Sequence, residues 1–194
     1  MLSRPTRRDV LLSAVGGMAS RTVVALVPLI TVSPPPSRTL TCGDLRAPCA
    51  IGRSGVRTDK REGDGATPSG RFPLRRVLFR QDRIPSITSH LPVSPIGVRD
   101  GWSTDPADPS YNQMVTLPRS GPHEEMWRAD GLYDVVVVIG YNDAPVVPGK
   151  GSAIFLHVAR RAMSPTDGCV AVPLAFMLEL LKRCDTTTFI EISS

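Results

Sequence analysis

The residues of this chain best suited to chemistry are a histidine and a cysteine near its carboxyl end, His157 and Cys169. His157 lies near the end of one apolar run, and Cys169 directly precedes another. Two strands joined by a loop bring such residues together, as a thiol nucleophile and its base require. The imidazole stabilises the thiolate and returns a proton to a leaving amine. The pair indicates acyl transfer through a cysteine, with plain packing of both side chains as the alternative.

Gly168, directly before the cysteine, indicates how an oxyanion would be stabilised. Glycine adopts backbone conformations that residues with a Cβ avoid, so the chain here can approach a substrate closely. We expect the N–H groups of Gly168 and Cys169 to point at the developing oxyanion. Arg160 and Arg161, in the loop between the pair, are candidates for binding a substrate carboxylate, with ordinary solvated charge as the alternative.

The elements that must position these residues are predicted to be short strands. The 194 residues suffice for one domain with a substantial core, and 16 glycines and 19 prolines disfavour long helices. A helix is predicted from Pro173 to about Cys184, where apolar residues recur at helical spacing. The fold class is therefore mostly β with one short helix after the cysteine. Strands are predicted at residues 27–32, 38–42, 47–51, 71–79, 96–98, 114–117, 133–140, 153–158, 170–172 and 188–192.

The segment 80–128 carries many prolines, serines and aspartates and few periodic signals. A connection of this length in a compact domain is usually functional or a cover for something else. We expect a wall or lid over a cleft, with irregular packing as the alternative.

The remaining cysteines do not predict a metal site. A structural zinc site needs closer Cys and His spacing, and no nucleotide-binding motif is present, so no metal or cofactor is expected. Cys42 and Cys49 flank a predicted turn, and they form either a disulfide or two independent buried side chains. Cys184, at the predicted helix end, is expected to pack.

The amino-terminal residues 1–25 resemble a twin-arginine export signal. Arginines precede a moderately apolar stretch that ends in small residues. The alternative is a disordered or mis-started terminus. Residues 26–194 are then the functional domain, located in the periplasm or cell envelope. No stretch is long and clean enough to predict a membrane span.

The net charge of +5 permits a polyanionic partner, either nucleic acid or an anionic cell wall. The positive charge is scattered arginine rather than a dense basic run interleaved with aromatic residues, so nucleic-acid binding is not expected.

Two motifs give the chain a family resemblance. Residues 151–173, GSAIFLHVARRAMSPTDGCVAVP, resemble the active-site segment of the L,D-transpeptidase, or YkuD-like, family, in which a histidine and a loop precede Ser/Thr-x-Gly-Cys. Residues 67–72, TPSGRF, are similar to the family's Thr-Pro-x-Gly-x-(Phe/Tyr) pattern. The resemblance covers about residues 40–192, with both motifs in the family's order.

The resemblance implies a mostly β sandwich with an open cleft that binds peptidoglycan stem peptides. It implies that Cys169 is the nucleophile, that His157 is the base and acid, and that the carbonyl after His157 orients the imidazole. D-Alanine leaves, and an acceptor amine resolves the thioester. Gly168 stabilises the oxyanion, and Thr166 and Asp167 position the substrate.

The chain departs from the family pattern beside the cysteine. Asp167 stands where many members have histidine, and Ala171 and Val172 stand where many have Arg or Asn. These departures leave the substrate preference open. Two alternatives keep the family but change the function: an L,D-carboxypeptidase that uses water as acceptor, and a cell-wall-binding module without catalysis. The oligomeric state is left open.

Overall fold

The computed structural model describes residues 29–194, and the expected export signal at 1–25 lies outside the described residues. Within that range the fold is mostly β with a single α-helix, as predicted. The helix α1 spans Leu174–Leu181. The strands are β1 Leu29–Ser33, β2 Thr39–Cys42, β3 Leu45–Pro48, β4 Val56–Arg57, β5 Thr67–Pro68, β6 Gly70–Phe79, β7 Val93–Pro95, β8 Asp100–Ser103, β9 Met114–Thr116, β10 His123–Glu125, β11 Val135–Ile139, β12 Phe155–Val158, β13 Val170–Val172 and β14 Phe189–Ile192.

The long strand β6 joins the two halves of a nine-stranded sheet. Eight of its strands follow the order β13-β12-β11-β6-β14-β1-β2-β3, and the ninth, β7, pairs with β6 outside this order. Its first part pairs with β14 and its second part with β11, so one strand serves both halves. The largest hydrophobic cluster draws residues from both halves and from α1. The core therefore lies between these elements, as in a sandwich.

Strand β11 is the best-defined strand in the sequence, and all five of its residues are buried. A continuous β-branched run of this kind is typical of a strand covered on both faces. Val135, Val137 and Ile139 enter the main cluster, while Val136 and Val138 enter a second cluster that contains Cys169. The second face of this strand thus packs toward the catalytic candidates.

Helix α1 begins directly after Pro173, which takes the N-cap position with φ −57°. Met177, Leu180 and Leu181 are buried, which anchors the helix on the core through its apolar face. The helix ends at Leu181, before the predicted end at Cys184. Because α1 follows β13 directly, it fixes the carboxyl end of that strand, which begins directly after Cys169.

The segment 80–128 contains four of the strands, and β8, β9 and β10 form a separate sheet with the order β10-β8-β9. The prediction for 114–117 is confirmed by β9. The prediction for 96–98 is wrong, because the pairing to β6 comes from Val93–Pro95 and the chain then turns where Gly97 N–H donates to Asp100 Oδ2 over 2.8 Å. The segment covers the second face of the main sheet.

The four cysteines are all buried and free, so the disulfide alternative is wrong. Cys42 pairs with Leu45 at the turn of the β2–β3 hairpin, whereas Cys49 lies beyond its other end, where its N–H donates to Arg38 O. The two cysteines are therefore separated by the length of the hairpin. Burial raises the pKa of Cys49 to about 11, which keeps it a neutral packing residue.

Residues 29–194 contain no helix that is long and apolar enough to cross a membrane. In that same range, no three His, Cys, Asp or Glu side chains are grouped as metal ligands.

Candidate active site

Parallel pairing of β12 with β13 brings the two catalytic candidates together. His157 lies opposite Ala171 in this register, so Cys169, which directly precedes β13, lies beside Phe155. Side chains two residues apart on a strand share a face, so Phe155 and His157 point the same way. The side chains of His157 and Cys169 accordingly line the same cleft, which has a volume of about 520 Å³.

The imidazole of His157 is held in one tautomer. Its Nδ1 lies 2.9 Å from the carbonyl oxygen of Val158, the acceptor that the resemblance implies. A carbonyl only accepts hydrogen bonds, so Nδ1 carries the hydrogen and Nε2 keeps its lone pair. The ring of Tyr133 packs edge-on against the imidazole at 5.5 Å between centroids. His157 is thus fixed with Nε2 available as a base.

The thiol of Cys169 is buried and bonded to backbone. Its S–H donates to the carbonyl of Ala153 over 3.2 Å, and Sγ accepts from the N–H of Phe155 over 3.4 Å. Burial raises the pKa of the thiol to about 12, partly offset by the Phe155 N–H. Cys169, the candidate nucleophile, is therefore a neutral thiol.

Burial also acts on His157, the candidate base. It lowers the pKa of His157 to about 4, and the hydrogen bond to Val158 opposes this only in part. The neighbouring cations Arg128 and Arg160 lower this pKa further. The imidazole is therefore neutral near pH 7, which is the form that accepts a proton from the thiol.

The turn before the cysteine requires glycine. Gly168 has φ +136°, and a Cβ there would lie 2.8 Å from the carbonyl oxygen of Ala66. Its N–H donates to Thr166 Oγ1 over 3.2 Å, and that hydroxyl in turn donates to the carbonyl of Cys169 over 2.6 Å. Thr166 therefore shapes the turn. Among the described residues, nothing accepts a hydrogen bond from the Cys169 N–H.

Thr67 is a site residue that sequence reasoning did not assign. It is fully buried, and its hydroxyl donates to the Cys169 carbonyl over 3.3 Å while accepting from Gly52 N–H over 2.8 Å. The available signal was the TPSGRF motif, which begins at this threonine. Both sequence motifs therefore meet at the backbone of the candidate nucleophile.

The structure separates the charged candidates into two groups. Arg160 and Asp167 line the cleft, whereas Arg161 is exposed but is not part of the lining. Asp167 forms an ion pair with Arg53 at the surface. Exposed pairs of this kind add little stability, so both groups remain accessible to a ligand.

The cleft also contains charged side chains from segments without a recognisable motif. Glu124 and Arg128 come from segment 80–128, which makes that segment one wall of the cleft. Lys60, from the loop between β4 and β5, also lines the cleft; it is only 4% exposed and is paired with Asp64 over 2.6 Å. The lining thus carries both signs of charge, which suits a ligand with charged groups of both signs.

A family model described as the YkuD L,D-transpeptidase catalytic domain matches residues 28–192. This chain belongs to that family, which confirms the resemblance drawn from the two motifs. No curated protein sequence matches this chain significantly.

Two solved structures show low sequence similarity to the chain. The helical cell shape determining protein Pgp2 from Campylobacter jejuni is 15% identical with a TM-score of 0.44, over 86% of this chain and 47% of that one. L,D-Transpeptidase 1 from Mycobacterium tuberculosis is 14% identical with a TM-score of 0.39, over 87% of this chain and 60% of that one. The chain thus spans less than two thirds of either protein.

Proposed function

We propose that this protein is an exported L,D-transpeptidase that forms a thioester between Cys169 and a peptidoglycan stem peptide. The observation that carries the proposal is the common cleft of His157 and Cys169, with Nε2 of the imidazole free to act as a base. The family supports the reaction class, and the cleft supplies the parts that acyl transfer needs: nucleophile, base and oxyanion donor.

The first half-reaction begins with the neutral pair. The Cys169 S–H turns from Ala153 to His157, Nε2 takes the proton, and the sulfur attacks the carbonyl carbon before the terminal D-alanine. The oxyanion accepts a hydrogen bond from the Cys169 N–H, which has no other acceptor among the described residues. The Gly168 N–H becomes a second donor when it breaks its hydrogen bond to Thr166 and binds the oxyanion instead. The imidazolium protonates the leaving amine, D-alanine departs, and a thioester remains.

The second half-reaction resolves the thioester. An acceptor amine attacks the thioester carbonyl, and His157 takes the proton that the amine loses. The C–S bond breaks, the sulfur receives the proton from the imidazolium, and a new amide cross-link is released. Water in place of the amine gives the L,D-carboxypeptidase with the same residues.

Substrate contacts come from the charged lining of the cleft. Arg160 provides a cation for a stem-peptide carboxylate close to the catalytic pair. Asp167 and Thr166, on the loop before the cysteine, face the same ligand. Arg161 lies outside the lining, so it contacts the substrate only if the substrate extends beyond the cleft.

The deciding measurement is mass spectrometry of tetrapeptide muropeptides incubated with the purified full chain. Cys169→Ala and His157→Gln variants run alongside, with Cys49→Ala as a control for loss of a buried cysteine outside the cleft. Cross-linked dimers that disappear in the first two variants and persist in the third establish the transpeptidase. Tripeptides alone indicate the carboxypeptidase. Absence of both products, with binding to intact sacculi, refutes catalysis and indicates the binding module.

Export is tested separately by fractionating cells that express the full chain. A processed product in the periplasm supports the signal at residues 1–25 and a catalytic domain at 26–194. An uncleaved cytosolic product contradicts the envelope location.

A further inference from the structure

The acceptor of the Cys169 thiol hydrogen is a carbonyl in an unusual backbone conformation. Ala153 has φ +53°, a region that residues with a Cβ rarely occupy. Such a conformation persists only where surrounding contacts hold it, and it is most common at functional sites. The contacts that hold Ala153 therefore also determine where the thiol hydrogen is bound.

Asn112 is the side chain that holds the Ala153 backbone. Its Oδ1 accepts from the N–H of Ala153 over 3.0 Å and from Nε1 of Trp102 over 3.0 Å. Its Nδ2 donates to the carbonyls of Tyr141 and Asn142 over 3.1 and 2.8 Å. The amide is 7% exposed, and its full hydrogen-bonding capacity is used. One side chain thus ties segment 80–128 to the loop before β12.

We propose that Asn112 is a positioning residue for the nucleophile: by fixing the Ala153 backbone, it holds the Cys169 thiol hydrogen on the Ala153 carbonyl. A carbonyl oxygen stabilises the S–H form, and its negative end disfavours a thiolate at the same place. The enzyme then rests with a protonated thiol, and the proton leaves only when the S–H turns to His157. The cysteine is thereby kept unreactive toward electrophiles other than substrate.

The neighbouring residues are held by a different set of bonds. Glu62 accepts from the Ser152 hydroxyl over 2.7 Å, and Gly151 N–H donates to the Tyr111 hydroxyl over 3.0 Å. These bonds fix residues 151 and 152 and leave the Ala153 N–H to Asn112. The other titratable or charged residues that line the cleft with Cys169 are Arg53, Lys60, Glu62, Glu124, Arg128, Tyr133, His157, Arg160 and Asp167.

The test measures the pH dependence of Cys169 alkylation by iodoacetamide in the full chain, with each cysteine peptide quantified by mass spectrometry. Asn112→Gly removes the amide and retains access to the positive φ of +57° at this position. Asn112→Asp keeps an acceptor for Ala153 N–H. The exposed neighbour provides the control variant, Gln113→Ala. The assay needs no peptidoglycan, so its outcome is independent of the proposed function.

With Asn112→Gly we expect the alkylation midpoint to move to lower pH and the rate at pH 7 to rise roughly fivefold, the size expected for one net hydrogen bond. With Asn112→Asp the midpoint stays at or above the wild-type value, because the acceptor remains and a negative charge is added. Wider access to the cleft would raise the rate at every pH without moving the midpoint.

An unchanged midpoint in folded Asn112→Gly overturns the proposal. Circular dichroism and a urea midpoint establish that the variant is folded. If Asn112→Gly does not fold, Asn112→Asp decides: a midpoint below that of the wild type overturns the proposal, and one at or above it supports it.

Discussion

The hydroxyl of Thr67 donates to the backbone carbonyl of Cys169 over 3.3 Å, across 102 positions of sequence. The same hydroxyl accepts from Gly52 N–H, so it closes a contact among three separate segments. The Cys169 carbonyl also accepts from Thr166, which lies in the turn before it. Two threonines from two motifs therefore fix the peptide group that follows Cys169, the candidate nucleophile.

Replacing Thr67 by valine tests this contact. Thr67→Val keeps the shape but removes the hydroxyl, which leaves the buried Gly52 N–H without an acceptor. We expect the free energy of unfolding to fall by about 1–3 kcal/mol, as for other unsatisfied buried groups, and muropeptide turnover to fall with it. Urea denaturation and turnover are the measurements. Thr67→Ser retains the hydroxyl and is the control; equal losses in both variants would show that the hydrogen bonds are not the cause.

Gly168→Ala tests the turn that presents the cysteine. The added Cβ meets the Ala66 carbonyl oxygen at 2.8 Å, and φ +136° is unfavourable for alanine. We expect a loss of more than about 1 kcal/mol of stability and a large fall in turnover. Gly55→Ala separates strain from the clash, because Gly55 has φ +76° with nothing within 4 Å of an added Cβ. Comparable turnover in Gly168→Ala and Gly55→Ala would contradict a role of the Gly168 turn in the candidate active site.

The buried neutral His157 predicts a specific pH dependence of stability. Its pKa is lowered from 6.5 to about 4 in the folded protein, so below pH 6.5 the unfolded chain binds a proton that the native protein does not. Stability is therefore lost as pH falls from about 6.5 to 4, by up to about 3 kcal/mol. Above pH 6.5 this group contributes no pH dependence.

Urea denaturation of the wild type and His157→Gln between pH 7 and pH 4 measures this effect. The other titratable groups are the same in both proteins, so the difference between the two curves isolates His157. We expect the stability of the wild type relative to His157→Gln to decrease toward pH 4. Parallel curves would show that the histidine is not buried in its neutral form.

Strong local patterns made part of this site predictable. The continuous β-branched run of β11 and the Ser/Thr-x-Gly-Cys motif at Cys169 depend on residues close together in sequence. The first predicted the central strand and the second the candidate nucleophile, while apolar residues at helical spacing after Pro173 predicted the helix and the apolar run at residues 153–158 predicted the strand that carries His157. The Thr-Pro motif at Thr67 was equally visible, but its bond to Cys169 depends on a pairing between distant segments.

The residues that escaped prediction depend on tertiary context. Strands β8 and β10 are short and polar, with sequences DGWS and HEE, so their periodicity gives no strand signal. Glu124 and Asn112 acquire their positions only when this segment packs over β11 and β12. The disulfide alternative is wrong for a related reason. Two cysteines that flank a turn lie near each other only when the strand pairing places them opposite one another, and Cys42 lies opposite Leu45 instead.

Charge reversal at Arg160 tests whether the cleft recognises a substrate carboxylate. Arg160 is exposed and lines the cleft with His157, while its neighbour Arg161 is exposed and lies outside the lining. Losing a charge-assisted hydrogen bond to a carboxylate, worth about 1.5–3 kcal/mol, raises KM by roughly tenfold or more. We therefore expect Arg160→Glu to raise KM for tetrapeptide substrate with a smaller change in kcat. Arg161→Glu carries the same change in net charge, so equal KM increases would assign the effect to the general field of the protein. An unchanged KM in Arg160→Glu would leave Arg160 as solvated surface charge.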